Sequence, residues 1–215
     1  MDPGFRRGDG RWGFVAKPMT SVLLALHYQN EVLHKSGRIR LGVAEHDPAR
    51  DAVVAAAKRL LDGARAHRVP VVSVRIAFRP DHADVIANAE IWRRVVAGKV
   101  MAEGSWGAAF HDGLGPLPGE FVVTHGRNNA FYASPLEAIV HRLAPARLIL
   151  AGVATNFVVE STARHASDVG YDTVIASDAC SAASPEAHRA SLASLAMLAT
   201  VATVDEIIAQ WGQGE

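Results

Sequence analysis

The segment from Arg147 to Cys180 constrains the fold of this 215-residue chain more than any other. Its apolar run Arg147–Gly152 is too short for a helix and ends in glycine, which predicts a buried strand. Thr155 or Asn156 can cap a following helix, because a short oxygen-bearing side chain accepts a hydrogen bond from the free amides of the first turn. A second apolar run, 171–177, predicts the next strand. Together they predict a parallel crossover unit, whose first turn lies where open α/β sheets bind ligands.

Short apolar runs alternate with amphipathic segments along the rest of the chain. They predict six strands, near 21–27, 70–75, 120–125, 147–152, 172–176 and 199–203. Strands that alternate with helices build parallel sheets covered by helices on both faces. The fold class is therefore α/β, with a three-layer, doubly wound and mainly parallel six-stranded sheet of Rossmann-like topology. The section 79–119, between the second and third strands, is predicted to be irregular.

Residues 1–18 differ from the remainder, because they are rich in glycine and arginine and have no apolar period. Such a segment buries too little apolar surface to offset the entropy lost on ordering, so we predict a poorly ordered tail. Residues 19–215 are predicted to form one domain, and Met19 is a candidate native start.

Charge and cysteine content exclude several classes of protein. The 22 basic and 22 acidic residues give a formal net charge of zero, which argues against a nucleic-acid or membrane-surface partner. One cysteine excludes a disulfide framework and fits a reducing compartment. No apolar run approaches membrane-spanning length, and the N-terminus lacks the pattern of a signal peptide. We therefore expect a cytoplasmic protein whose partner is a small molecule.

The turn after the fourth predicted strand carries a recognisable motif. Residues Gly152–Ala163 read Gly-Val-Ala-Thr-Asn-Phe-Val-Val-Glu-Ser-Thr-Ala, and Gly170-Tyr171 and Ser177–Cys180 follow. This arrangement resembles the nucleophile segment of the isochorismatase-like cysteine hydrolases, a superfamily that includes nicotinamidases, carbamoyl amide hydrolases and isochorismatases. The resemblance extends from about Met19 to the C-terminus.

The resemblance implies several structural features. It implies an isochorismatase-like fold and a homodimer or homotetramer, in which the section 79–119 helps to close the substrate pocket and meets the neighbouring subunit. It also implies a cis peptide bond between Val153 and Ala154 that aims two backbone amides at a substrate oxyanion.

The resemblance also implies a catalytic triad, but all three of its positions are substituted in this chain. In the superfamily an aspartate after the first strand is the general base, a lysine after the third strand stabilises negative charge, and a cysteine six residues after the glycine forms an acyl-enzyme. The matching positions hold His27, His125 and Val158. Cys180 lies elsewhere, and a buried core thiol is its better interpretation. Thiol chemistry is therefore expected to be dispensable.

Several residues around the substituted triad keep the superfamily's pattern. This indicates that the pocket is retained while the residues at its catalytic positions differ. The predicted substrate-binding residues are Gln29, Trp92, Arg127, Phe131, Ala154, Thr155, Asn156 and Val158. Arg127 suits bidentate recognition of a carboxylate, although a solvated surface position explains it equally well.

The two histidines end the first and third predicted strands, whose carboxyl ends meet at one edge of a doubly wound sheet. We therefore predict that the rings of His27 and His125 lie within roughly 3 to 7 Å of one point in the pocket. Apolar Val158 and Phe131 nearby would lower the pKa of at least one ring, because burial disfavours the imidazolium. One ring would act as base and the other as acid, with one neutral and the other charged at working pH. The alternative for each histidine is a structural, hydrogen-bonded role.

Three functions are compatible with this pattern. The first is an isochorismatase-family hydrolase or lyase that acts on a small carbonyl, amide or ring compound through His27 and His125, without a cysteine nucleophile or a cofactor. The second is a catalytically inactive family member that binds a small molecule or a protein partner. The third is a metal site of the two histidines with Glu160 or Asp81.

Asp81, His82 and Asp84 form another candidate metal cluster. Their spacing does not match the Asp-x-His site that nicotinamidases have after the second strand, and charged residues in loops are commonly just solvated. The sequence therefore predicts no metal.

Overall fold

The computed structural model describes residues 20–39 and 49–213 of the chain, so that the predicted tail, 1–18, lies outside the described residues. The elements are β1 Ser21–Leu26, α1 Asn30–Leu33, α2 Ala49–Ala66, β2 Val71–Ile76, α3 Glu90–Gly98, β3 Phe121–His125, α4 Leu136–Leu143, β4 Arg147–Gly152, a π-helical turn Thr155–Val159, α5 Glu160–Asp168, β5 Asp172–Ala176, a 3₁₀ turn Ser177–Ala179, α6 Pro185–Leu195, β6 Thr200–Ala202 and α7 Val204–Gly212. All six predicted strands are confirmed.

The six strands form one sheet in the order β3-β2-β1-β4-β5-β6, and every neighbouring pair is parallel. The predicted α/β class and doubly wound topology are therefore confirmed. The strand order reverses between β1 and β4, which makes their carboxyl ends the switch point where α/β sheets hold ligands. The sequence-distant ends of β1, β3 and β4 thus lie at one edge of the sheet.

Helices cover both faces of a parallel sheet, so the side chains on both faces of each strand are buried. Continuous apolar runs of the sequence therefore form the strands. All six residues of β1 are buried, and its leucines belong to the main hydrophobic core. Helix α2 packs against α7, and α5 packs against α6. No helix within 20–39 or 49–213 combines the length and hydropathy needed to span a membrane.

The section 79–119 was predicted to be irregular, but it contains the helix α3. Trp92 and Val95 on this helix are buried, and they form a second, smaller hydrophobic cluster with Ile76, Val100 and Met101. The helix follows from an apolar stripe with helical spacing, which the surrounding glycines and turn residues obscure in the sequence.

Gly152 ends β4 at a point where two backbones approach closely. It lies opposite Leu26 of β1, and a Cβ atom added to it would lie 2.2 Å from the Leu26 carbonyl oxygen. Only glycine fits at this position without a shift of the backbone. Just after this glycine, the peptide bond between Val153 and Ala154 is cis, as predicted.

Replacing Gly152 with alanine should destabilise the protein by about 3 kcal/mol, because overpacking against a fixed backbone forces β1 and β4 apart. Urea unfolding monitored by circular dichroism measures this loss. Gly98→Ala is the matched control, since a Cβ atom there would meet only Val100 Cγ1 at 3.5 Å, an ordinary contact. Equal stability of the two variants would contradict the close approach of the strands.

Candidate active site

His27 directly follows β1 in a backbone conformation that is unusual for a residue with a side chain. Its φ is 57°, in the left-handed region, which costs about 1 kcal/mol for a non-glycine residue. Gln29 stabilises this turn: its side-chain amide donates to the carbonyls of Ile76 and Ala108, and its oxygen accepts from the Ile76 amide, at 2.8 to 2.9 Å. Non-glycine residues held in this conformation are frequent at functional sites.

His125 is the last residue of β3, and its ring meets that of His27 over the end of β2, which lies between the two strands. The Nε2 atoms are 2.6 Å apart, and the ring centroids are separated by 4.9 Å. Both residues are buried, with 7% and 4% of their surfaces exposed. The predicted proximity of the two rings is confirmed.

Burial determines the charge of the pair. Desolvation holds the pKa of His27 well below its usual value, and repulsion by His125 lowers it further. Desolvation likewise lowers the pKa of His125 to about 4, against a smaller opposing contribution from the backbone of Asn129. Burial therefore favours the neutral form of both rings, and at this separation the Nε2–H of one ring donates to the bare Nε2 of the other. The predicted lowering of at least one pKa is confirmed, and burial disfavours the imidazolium form that one ring was expected to adopt at working pH.

A cavity of about 710 Å³ adjoins His27 at the switch point. The turn after β4 contributes Val153, Ala154, Phe157 and Val158 to its wall. Helix α3 contributes a second side of the wall, and Asn128, after β3, a third. Among the predicted site residues, His27, Trp92, Ala154 and Val158 line this cavity.

Other predicted substrate-binding residues have structural contacts away from the cavity wall. Gln29 supports the His27 turn, and Thr155 Oγ1 lies 2.8 Å from His188 Nδ1, at a hydrogen-bonding distance. Phe131 is stacked on His165 with ring centroids 4.7 Å apart. Asn156 is exposed to solvent.

Arg127 likewise has partners outside the cavity. Its guanidinium donates to the Ile86 carbonyl and to Asn88 Oδ1, both at 3.0 Å, and lies 4.8 Å from the centre of the Trp92 ring. Arg127 therefore holds the segment before α3 and supports the outer side of Trp92, rather than presenting a free cation to a carboxylate.

The candidate metal ligands do not converge. Asp81 and Asp84 accept hydrogen bonds from Arg79, and His82 Nε2 lies 2.8 Å from the Val100 carbonyl oxygen. Glu160 accepts hydrogen bonds from Arg164 and Ser191. Within the described part of the chain, no group of three His, Cys, Asp or Glu residues is arranged to hold a metal ion.

Sequence reasoning missed most of the α3 side of the cavity. Ile91, Val95, Val100 and Met101 line it, together with Asn128. The helical spacing of Ile91, Trp92 and Val95 was the available signal, but it does not reveal which apolar face adjoins a cavity. Nothing in the sequence distinguishes Asn128 from Asn129 as the residue that lines the cavity, whereas the structure does.

Comparison with known proteins agrees with this architecture. A model of the isochorismatase domain matches residues 21–206. The chain belongs to the isochorismatase family. The ureidoacrylate amidohydrolase RutB of Methylobacterium radiotolerans is 30% identical over 209 residues, which covers 86% of this chain and 80% of that protein. The isochorismatase family protein YecD of Escherichia coli is 36% identical over 138 residues, or 64% of this chain and 71% of that protein.

Solved structures of the isochorismatase family share the fold. The family protein from Desulfovibrio vulgaris superposes with a TM-score of 0.77 at 25% identity, over 89% of this chain and 99% of that chain. Val158, at the position where the resemblance implies a catalytic cysteine, lines the cavity and offers no nucleophile.

Cys180 does not replace the missing thiol. It is 2% exposed, does not line the cavity, and its Sγ atom accepts a hydrogen bond of 3.4 Å from the Gly152 amide. Burial raises the pKa of this thiol to about 12, so that the reactive thiolate is scarce at neutral pH. The prediction of a core thiol is confirmed.

Iodoacetamide at pH 8 should therefore leave the folded protein unmodified and label one thiol after denaturation. Intact-mass spectrometry with and without urea measures both states, because the chain has a single cysteine. Rapid stoichiometric labelling of the native protein would contradict the buried position of Cys180.

Proposed function

We propose that this isochorismatase-family protein is a hydrolase that attacks a small carbonyl, amide or ring compound with water and without a cysteine nucleophile. The contact between His27 and His125 beside the cavity carries this proposal, because it puts a proton-transfer pair where the family fold holds its substrate. The family relative RutB is a ureidoacrylate amidohydrolase, which supports hydrolysis as the class of reaction.

The surroundings of the two rings favour one arrangement of their hydrogen atoms. The backbone of Asn129 raises the pKa of His125, as a carbonyl near a ring N–H does, although Nδ1 of His125 has no partner of good hydrogen-bond geometry among the described residues. With Nδ1 of His125 protonated, its Nε2 accepts from Nε2–H of His27. Nδ1 of His27 is then bare, and the side chain has no other hydrogen bond to the described residues.

This arrangement makes His27 the general base. Its Nδ1 takes a proton from water as the water oxygen bonds to the substrate carbonyl carbon, while His125 Nε2 accepts part of the resulting positive charge through the shared hydrogen. The same proton then passes to the leaving group as its bond to the carbonyl carbon breaks, and both rings return to the neutral form. The Ala154 amide at the cavity wall has no hydrogen-bond partner within 20–39 and 49–213, so it is available to the developing oxyanion.

A binding protein without turnover is the second candidate. Two observations favour it: Val158 removes the nucleophile, and the lowered pKa values make both imidazoles weak bases. Such a protein keeps the cavity and binds the same class of small molecule.

Alanine variants at the two histidines separate these candidates. In a screen of amides, lactams and enol ethers, His27→Ala and His125→Ala should each lower kcat about 100-fold or more, the usual contribution of general acid–base catalysis. His141→Ala is the matched control, since His141 is exposed on α4 and does not line the cavity. Undiminished turnover in the first two variants would make both histidines structural, and binding without turnover in the wild type would establish the second candidate.

The pH dependence of turnover follows from the neutral state of the pair. The neutral imidazoles are the active form, so activity is present above their folded-state pKa and is lost as pH falls through it. For His125 that pKa is about 4 rather than the ordinary 6.5. We expect kcat/KM to be constant from pH 8 to 6 and to fall only at lower pH. An acid limb centred near pH 6.5 would contradict the desolvated pair.

A further inference from the structure

The wall of the cavity beside His27 is strongly apolar at depth. The small hydrophobic cluster around α3 contributes Ile76, Trp92, Val95, Val100 and Met101, and each of these side chains is at most 8% exposed. Val153, Ala154 and Val158 join the wall from the main core. A ligand group that enters this space exchanges water for aliphatic and aromatic surface.

Charged side chains also reach the cavity, but they lie at its solvent-exposed rim and are already paired. Arg94 is 79% exposed and donates to Glu90, which is 63% exposed, at 2.9 Å. Arg38 is 61% exposed; its Nε donates to the buried Glu31 carboxylate at 3.0 Å and its Nη1 to the Gly98 carbonyl at 3.1 Å. Within the described residues, no unpaired cation lines this cavity to receive a substrate carboxylate.

The polar groups available inside are few. His27 lines the cavity, and its ring makes one hydrogen bond to the described residues, to His125. Asn128 also lines the cavity, and its side-chain amide has no hydrogen bond to any described residue. These two groups match one carbonyl or amide of a ligand, which offers an acceptor and a donor of its own. They do not match a molecule with polar groups at both ends.

We infer that the substrate is an uncharged molecule with a single carbonyl or carboxamide on a hydrophobic body, whose polar end lies at His27 and Asn128. The body, a ring or an acyl chain, packs against Trp92, Val95 and Val100. A carboxylate on that body would be buried against apolar side chains without a partner, which is strongly unfavourable. This inference rests on the proposed function, since it takes the cavity beside His27 as the substrate site.

A matched pair of amides tests the inference by equilibrium binding. Hexanamide and adipamate have the same chain length, but adipamate ends in a carboxylate. We expect hexanamide to bind at least 10-fold more tightly than adipamate, measured by isothermal titration calorimetry on the full chain. In the series acetamide, butanamide and hexanamide, affinity should rise by up to roughly fourfold per buried methylene. Equal or tighter binding of adipamate, or no gain along the series, would overturn the inference.

A variant in the apolar wall tests whether hexanamide binds in this cavity. Val95→Thr keeps the shape of the side chain but replaces a methyl group with a hydroxyl, so hexanamide should bind severalfold more weakly while acetamide is unaffected. Val169→Thr is the matched control, because Val169 is 51% exposed and does not line the cavity. Circular dichroism melting establishes that both variants are folded. If Val95→Thr is unfolded, the hexanamide and adipamate comparison in the wild type decides alone.

Binding and turnover test the inferred substrate class and the proposed catalysis separately. Binding is measured in wild type and in His125→Ala, which keeps every residue of the cavity wall but is not expected to turn over the amide. Tight hexanamide binding without turnover would refute the proposed catalysis and keep the substrate class. Turnover of amides that depends on both histidines, with preference for adipamate, would keep the catalysis and refute the substrate class.

Discussion

The hydrogen bond between His27 and His125 depends on both imidazoles being buried. At an Nε2–Nε2 separation of 2.6 Å, two charged rings would repel each other, and only a pair with a single hydrogen between them is stable. Burial supplies this condition, because it lowers both pKa values below neutrality. The sheet supplies the geometry, since its strand order puts the ends of β1 and β3 on either side of β2. Burial thus sets the protonation state of the pair, the sheet sets its geometry, and the proposed chemistry depends on both.

The residues at the three positions where the family resemblance implies a triad are consistent with one another. An aspartate and a lysine at positions 27 and 125 would require charge in the site, and a cysteine at 158 would require a base to form its thiolate. His27, His125 and Val158 at these positions bring no fixed charge, so that a buried pair of imidazoles adjoins an apolar wall. The charged side chains that line the cavity, Arg38, Arg94 and Glu90, are exposed and already paired, Arg38 with the buried Glu31 and Arg94 with Glu90.

Much of the fold could be predicted from the sequence, because short apolar runs bounded by turn residues determine the strands and their alternation with helices determines the parallel sheet. The proximity of His27 and His125 also followed, since each ends a strand at the same edge. The cavity wall could not be predicted to the same extent. Side-chain contacts between segments distant in sequence decide where these residues point. Arg127 faces Ile86 and Asn88 rather than a substrate, and Phe131 faces His165 rather than the pocket. The α3 wall was missed for the same reason.

The protonation state of the pair is most directly measured by two-bond ¹H–¹⁵N correlation spectra of the imidazole rings, assigned with His27→Gln and His125→Gln. The structure predicts that at pH 7 each ring has one protonated and one bare nitrogen. It also predicts that this neutral pattern persists well below pH 6.5, with a single downfield proton between the two Nε2 atoms. An imidazolium pattern for either ring at pH 7, or two independent titrations near pH 6.5, would contradict the buried neutral pair and the chemistry proposed from it.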